Sequence, residues 1–263
     1  MNQSNSNQVK SEFSEFDRFR ALVYGVGSLS LFATSVVVML WSLYHGWQFG
    51  VGTFTGRTRW IANFFLLAQF PILHSWLLSR SGNRRLDPLA PKAIATHLRP
   101  TTYVAVASLQ LLAAFCFWSP QSDVIWRPSG LLLRIHVGLF AVSWILLAKS
   151  MWDGHLGVQL GYLGWWSVIK RLPAIPWPGL RTAGLFRICR QPIYFSFMLT
   201  LWTGPVWTTD KIFTAALWSL YCLFGPLLKE RRQMRIFGAR FAVYKSAVSY
   251  WPSLNILRLK DPE

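Results

Sequence analysis

The residues best placed to do chemistry lie in one short basic stretch, Gly184-Leu185-Phe186-Arg187-Ile188-Cys189-Arg190-Gln191-Pro192-Ile193-Tyr194, which opens into the apolar run Ile193 to Trp202. A proline in the first turn of a helix costs nothing, because the N–H it lacks would have no intrahelical partner. The remaining N–H groups of that turn, with arginines beside them, make a place for an anion. Arg187, Arg190 and Tyr194 stand at i, i+3 and i+7, one face if the helix runs through the proline. The same residues also read as a basic flank anchoring a membrane helix, and residue types alone leave both readings open. A second stretch, Lys229-Glu230-Arg231-Arg232, follows another apolar run. Glu230 is nearly the sole acid among many bases. It is either a surface partner of a neighbouring arginine, worth about 0–1 kcal/mol, or the group that orders a basic site at a membrane face. Gly238 reads as a helix C-terminal glycine, with Phe241 and Tyr244 starting the next turn and packing back.

The elements that must hold these residues are apolar. The chain of 263 residues is 52% hydrophobic, with 15 Trp and 19 Phe, and its formal net charge is +17. That charge would suggest nucleic acid in a soluble protein. Here the bases lie between long apolar runs, so membrane topology accounts for them and no nucleic-acid partner is expected. Ala21–Tyr44 carries no charge and, at about 1.5 Å per residue, is long enough for a hydrocarbon core of about 30 Å. Further spans are expected at Trp60–Leu78, Thr101–Trp118 and Leu131–Met151. Two shorter elements, Ile193–Trp207 and Ile212–Leu228, form a helical hairpin turning at Thr208–Lys211. The expected fold is therefore an all-α integral membrane protein of about six transmembrane helices. It divides into a tail (1–20), four helices (21–151) and a C-terminal region with the helical hairpin and a basic tail (152–263).

The loop charges agree. Lys and Arg number five in the second loop, five in the long connection 152–191 and eight after residue 228, against two, one and one in the alternate loops. The positive-inside rule then puts both termini in the cytoplasm. Residues 1–17 are polar, have no apolar core and are not a secretory signal.

Taken together, Gly184-x-x-Arg187-x-x-Arg190-Gln191-Pro192-x-Tyr194, a helical hairpin, Glu230, Phe237-Gly238-x-x-Phe241-x-x-Tyr244 and Pro252 resemble the C-terminal signature of the isoprenylcysteine carboxyl methyltransferase superfamily. Gln69, His74-Ser75, Leu185-Phe186-Arg187 and Leu201-Trp202-Thr203-Gly204-Pro205 bring the likeness nearest to the bacterial methanethiol S-methyltransferases. The resemblance implies a membrane enzyme that uses S-adenosylmethionine, with the cofactor on the cytoplasmic side and a small or lipophilic thiol arriving through the bilayer. It assigns Arg190 and Glu230 catalytic roles. It places Arg187, Arg190, Gln191, Pro192, Tyr194, Glu230 and Tyr244 at the cofactor, and His155 and Asp153 are candidates to line its cavity. The cofactor's carboxylate suits Arg190 and a helix N-terminus, and its sulfonium suits aromatic faces. Three positions depart from the pattern: Gln191 stands for His, Lys229 for the first Glu of a pair, and Ser196 for Gly. Glutamine donates a hydrogen bond as neutral histidine does, but it is neither acid nor base.

Other acceptors, an isoprenylcysteine or a lipid, need the same chemistry with a different entrance. A non-catalytic protein of the same fold would explain Gln191 and Lys229. A membrane reductase would need room for a nicotinamide. No His-x-x-x-His or His-x-x-His spacing occurs, and no metal is expected. His74 in an apolar span is either functional or a satisfied buried histidine. Cys116 and Cys222 read as packing residues, and Trp165-Trp166 with Trp177 as an interfacial belt.

Overall fold

The computed structural model describes residues 13–121 and 123–253. The first residues of the polar tail, and Arg258 and Lys260 at the far end, lie outside them. In chain order the helices are α1 (Glu15–Tyr44), α2 (Gly56–Leu77), α3 (Arg80–Arg84), α4 (Ala95–Cys116), α5 (Gly130–Asp153), α6 (Leu156–Gln159), α7 (Tyr162–Ile169), α8 (Pro192–Thr203), α9 (Thr209–Phe237) and α10 (Ala239–Ala247). Two short strands, β1 (Val124–Trp126) and β2 (Trp207–Thr208), pair antiparallel.

Four helices, α1, α2, α5 and α9, are long and apolar enough to cross a membrane. The other two expected spans differ for separate reasons. Helix α4 has the length but carries Arg99, Pro100 and Gln110, and it is packed by α1, α2 and α7. Its neighbours are protein, so its buried face can be polar: Thr101, Thr102, Ser108 and Gln110 are all buried. Helix α8 has only 12 residues. At 1.5 Å each that is about 18 Å, short of a hydrocarbon core.

The all-α expectation also needs correction, because β1 and β2 tie the entry of α5 to the entry of α9. The hairpin turns earlier than expected, at Gly204–Val206. Thr208 is the N-cap of α9, its hydroxyl accepting from the Lys211 amide at 3.0 Å, and Thr209 to Lys211 form the first helical turn.

Helix α1 starts with a capping box. The Ser14 hydroxyl accepts from the Asp17 amide at 3.1 Å, and the Asp17 carboxylate accepts from the Ser14 amide at 3.2 Å. Its buried face is made of small residues, among them Ala21, Gly25, Ser28 and Ser35, which lets α4 and α7 approach closely. Trp165 of α7 fills the notch at Gly25, so it is a packing residue and not part of an interfacial belt. A Cβ at Gly25 would stand 2.4–2.6 Å from three Trp165 ring atoms, whereas one at Gly27 meets nothing within 4 Å. Gly25→Val is therefore expected to destabilise the protein by about 1–3 kcal/mol. Gly27→Ala should leave it unchanged or slightly more stable, and thermal unfolding in detergent compares the two.

At the end of the bundle where α9 begins, a buried polar latch joins α2, α9 and the segment before β1. Arg59 Nη1 donates to Asp210 Oδ1 at 3.0 Å, the Gln121 amide donates to Asp210 Oδ2 at 2.7 Å, and Arg59 also reaches Gln121. Lys211 is fully buried, donating to the Gly204 carbonyl with its ammonium 4.5 Å from the Trp207 ring centroid. Asn63 holds Ser119 through two hydrogen bonds of 2.9 and 3.1 Å. Behind the latch Trp47 packs on Phe115, Trp118 and Trp218. Cys222 is buried as expected, but Cys116 is exposed at the end of α4.

Candidate functional site

Helix α9 has 29 residues, so its last turns lie about 40 Å from its first. There the two stretches singled out by sequence meet. Pro192 is the first residue of α8, and Gln191 caps it with non-helical backbone (φ −123, ψ 48). The preceding residues do not continue the helix: Gly184–Arg187 form a 3-10 turn. Arg187, Arg190 and Tyr194 therefore do not share one helical face, and Arg187 is exposed. The turn is fixed from behind by Asp153, whose Oδ2 accepts from the Leu185 amide at 2.9 Å. Gly184 has φ +62, and a Cβ there would stand 2.3 Å from that carboxylate oxygen. Glycine is required on both counts.

Glu230 is the hub. Its Oε1 accepts from Arg190 Nε at 2.8 Å and from Gln191 Nε2 at 2.9 Å, and Lys245 Nζ lies 3.4 Å from Oε2. Gln191 is completely buried and Glu230 is 6% exposed. The Gln191 amide oxygen in turn accepts from Lys229 Nζ at 3.2 Å. One side chain thus donates to a carboxylate and accepts from an ammonium, which an amide does without titrating. The two departures from the family pattern fit each other. A glutamate at 229 would set a carboxylate against the amide oxygen.

Arg190 also staples the C-terminal segment. Its Nη1 donates to the Lys245 carbonyl at 3.0 Å and to that of Val248, and its own amide donates to the Ser249 carbonyl at 2.9 Å. Tyr244 and Phe241 do pack back, with Val248, against Leu180 and Phe237. The Tyr244 hydroxyl donates to the Phe186 carbonyl at 2.7 Å, and burial holds its pKa well above the ordinary tyrosine value. Tyr244 is therefore a clasp between α10 and the 3-10 turn. Gly238 ends α9 with φ +53, as its type suggested.

Sequence reasoning missed three residues here. Lys245 faces Glu230. Tyr250 stands 5.6 Å from the Arg190 guanidinium, its hydroxyl donating to the Leu223 carbonyl at 3.0 Å. Burial raises its pKa to about 12, so it stays protonated. Trp251 packs on Tyr250 and Phe195. The aromatic pair just before Pro252 was the available signal. Burial also raises the Cys189 pKa, which makes that thiol a poor nucleophile.

His155 is brought near but not into this network. It takes left-handed backbone (φ 63) and lines a recess of about 650 Å³ with Trp152, Tyr162, Trp166, Pro178 and Arg181. That volume is within the range of small-molecule pockets. Arg181 Nη2 donates to His155 Nδ1 at 2.8 Å. Burial first, and then the Arg181 charge, lower the His155 pKa, so the ring is neutral at neutral pH and accepts. Gly154, next to His155, packs on Phe186 and Ile193. Among the described residues no group of three or more His, Cys, Asp or Glu could hold a metal ion.

Compared with curated proteins, the chain is 28% identical over 246 residues to methanethiol S-methyltransferase 1 of Bradyrhizobium diazoefficiens, covering 90% of this chain and 83% of that protein. The chain resembles the methanethiol S-methyltransferases. A second Bradyrhizobium diazoefficiens protein of that name is 25% identical over 242 residues, 89% of this chain and 90% of its own length. The methanethiol S-methyltransferase of Mycobacterium tuberculosis is 27% identical over 205 residues, 73% of this chain and 78% of that protein. No family model and no solved structure matches the chain. The methanethiol S-methyltransferase resemblance therefore spans the membrane helices as well as the hub.

Proposed function

We propose that this chain is an integral membrane methyltransferase that transfers a methyl group from S-adenosylmethionine to a small thiol such as methanethiol. Its site lies on the cytoplasmic face of the bacterial inner membrane, and both termini lie on that side. The observation that carries the reading is the convergence of the neighbours Arg190 and Gln191 with Glu230, far along the chain, into one hydrogen-bonded hub. The relatives' names supply the reaction class, and the excess of Lys and Arg at the hub's end of the bundle supports the orientation.

The residues suit the cofactor. When bound, S-adenosylmethionine supplies an electrophilic methyl group. Around the hub, Arg190, Lys229, Arg232 and Lys245 outweigh the single carboxylate of Glu230 and favour an anionic group such as the cofactor's carboxylate. Tyr194, Tyr250 and Trp251 present aromatic surface to a cation. Glu230 orients Arg190 and Gln191, and Arg190 holds the segment 245–249 over the site. Holding donor and acceptor together, and keeping water out, accounts for most of the acceleration expected of such a displacement. Pro192 sets the start of α8, while Tyr244 and Asp153 shape the wall from behind.

Calorimetric titration of the purified protein with S-adenosylmethionine, beside Arg190→Ala, is the test. Binding by the wild type, weakened about tenfold or more in the variant, is expected from the loss of a charged, hydrogen-bonded partner. No heat from the wild type would remove the reading. Headspace gas chromatography with methanethiol as acceptor should then show dimethyl sulfide above a no-enzyme control. An isoprenylcysteine or lipid acceptor would leave that headspace unchanged. A reductase would bind NADPH in the same calorimeter, and a non-catalytic protein of this fold would bind neither.

A further inference from the structure

Lys229 points inward from the hub. Its ammonium has three N–H donors, and among the described residues its hydrogen bond is the single one to Gln191 Oε1 at 3.2 Å. The neighbouring Glu230 carboxylate is turned to Arg190, Gln191 and Lys245. The rest of the ammonium meets aromatic faces, Phe186 at 5.5 Å and Tyr194 at 5.7 Å from the ring centroids. A cation held inside a helix bundle without a carboxylate partner is costly.

Beyond it the polar character continues into the bundle. Tyr194 packs on Tyr221 at 5.9 Å, and the Tyr221 hydroxyl faces Ser75. Beside them the Tyr103 hydroxyl sits on the His74 ring nitrogens at 2.7 and 3.0 Å. His74 is thus a partnered histidine. None of Lys229, Tyr194, Tyr221, Ser75, His74 and Tyr103 is fully buried. These residues come from α2, α4, α8 and α9.

We propose that Lys229 is the acceptor-side residue, holding the thiol as its thiolate anion between the ammonium and the Tyr194–Tyr221 pair. The inference rests on the methyltransferase reading and adds the ionisation state in which the acceptor binds. The balance is simple. The S–H bond breaks, its electron pair stays on sulfur, the proton leaves to bulk water, and the anion pairs with an ammonium that keeps all its protons. The groups facing Lys229 favour this. Glu230 is turned to its own three partners, and its charge, which favours the ammonium, is the nearby negative one. Arg232 on the same helix adds positive charge. Cys189 is held as a neutral thiol by burial. Tyr194 on α8 and His74 on α2 bring no negative charge while neutral, and Lys245 on α10 adds a further positive charge.

The test needs no methyl donor. Ethanethiol is titrated into the detergent-solubilised protein by calorimetry in phosphate and in Tris, whose different ionisation enthalpies report protons released, with and without S-adenosylhomocysteine. Near pH 7 the wild type should release about one proton per thiol bound, because the free thiol is protonated there. Lys229→Met should bind about tenfold more weakly or worse and release almost none, and Lys229→Arg should restore the release. Dimethyl sulfide, which has no such proton, serves as the control. Undiminished proton release in Lys229→Met, wild-type binding without release, or no ethanethiol binding under either condition would overturn the proposal. Thiol binding with proton release but no S-adenosylhomocysteine binding would remove the donor assignment alone. The reverse pattern would remove the role of Lys229 alone.

Discussion

Glu230→Gln is expected to lower affinity for S-adenosylmethionine by more than tenfold and to loosen the C-terminal segment in the same step. The carboxylate is 6% exposed and serves Arg190 and Gln191 through one oxygen, with Lys245 near the other. The amide keeps the shape but loses the charge. It brings two N–H donors into a place built to receive donors, so one of them must face Arg190, Gln191 or Lys245. Removing one partner of a buried ion pair costs about 3–5 kcal/mol, because the other charge is left uncompensated. Here Arg190, Lys229, Arg232 and Lys245 would stand together with no acid between them. Arg190 then has less reason to stay where its Nη1 reaches the Lys245 and Val248 carbonyls. Trypsin offers a readout besides binding: cleavage after Lys245 should speed up in Glu230→Gln and Arg190→Ala alike. Unchanged cofactor affinity together with unchanged cleavage would show that the hub does not position the site.

The hub was legible in sequence for a physical reason. Its members sit in short runs where residue type carries most of the meaning: a proline that must start a helix, an arginine and a glutamine just before it, one acid among bases. What those runs could not disclose is which groups are spent on one another. Tyr244 reads as a ligand-facing aromatic, yet its hydroxyl is committed to Phe186. His155 reads as a cavity residue and lines a cavity, but its ring is committed to Arg181 and makes no hydrogen bond to the Glu230 hub among the described residues. Lys245 was one base among many until α10 folded it back onto Glu230.

Other differences follow from context. The span pattern of α4 was blurred because a helix enclosed by protein can afford Thr101 and Gln110 on its buried face. The strands were illegible, since two or three residues carry no periodicity. Trp165 looked interfacial because nothing in its own neighbourhood points to Gly25, which lies in another helix. The charges at the start of α9 were read as ordinary loop charges, which hides their largest consequence.

That consequence is stability. Asp210→Ala is expected to destabilise the protein by about 3–5 kcal/mol, because it strands a buried charge. Arg59 is 5% exposed and Asp210 is completely buried. The ion pair at 3.0 Å joins the first turn of α2 to the first turn of α9, and the second Asp210 oxygen takes the Gln121 amide at 2.7 Å. In the variant the Arg59 guanidinium keeps, among the described residues, Gln121 and the face of Trp60, 4.3 Å away. Lys211, buried one residue further on, loses the nearest negative charge of its own helix turn. The double variant Arg59→Met/Asp210→Leu removes both charges and fills the space, so it should recover most of the loss, a coupling of about 2–3 kcal/mol in a double-mutant cycle. Chemical unfolding in mixed micelles measures Asp210→Ala, the double variant and its two single variants, Arg59→Met and Asp210→Leu. Because the latch lies about 30 Å along α9 from Glu230, the folded fraction of Asp210→Ala should still bind S-adenosylmethionine with wild-type affinity. Strictly additive single-variant losses would mean that the pair contributes only through its separate contacts, and an Asp210→Ala protein as stable as wild type would mean that water reaches Arg59.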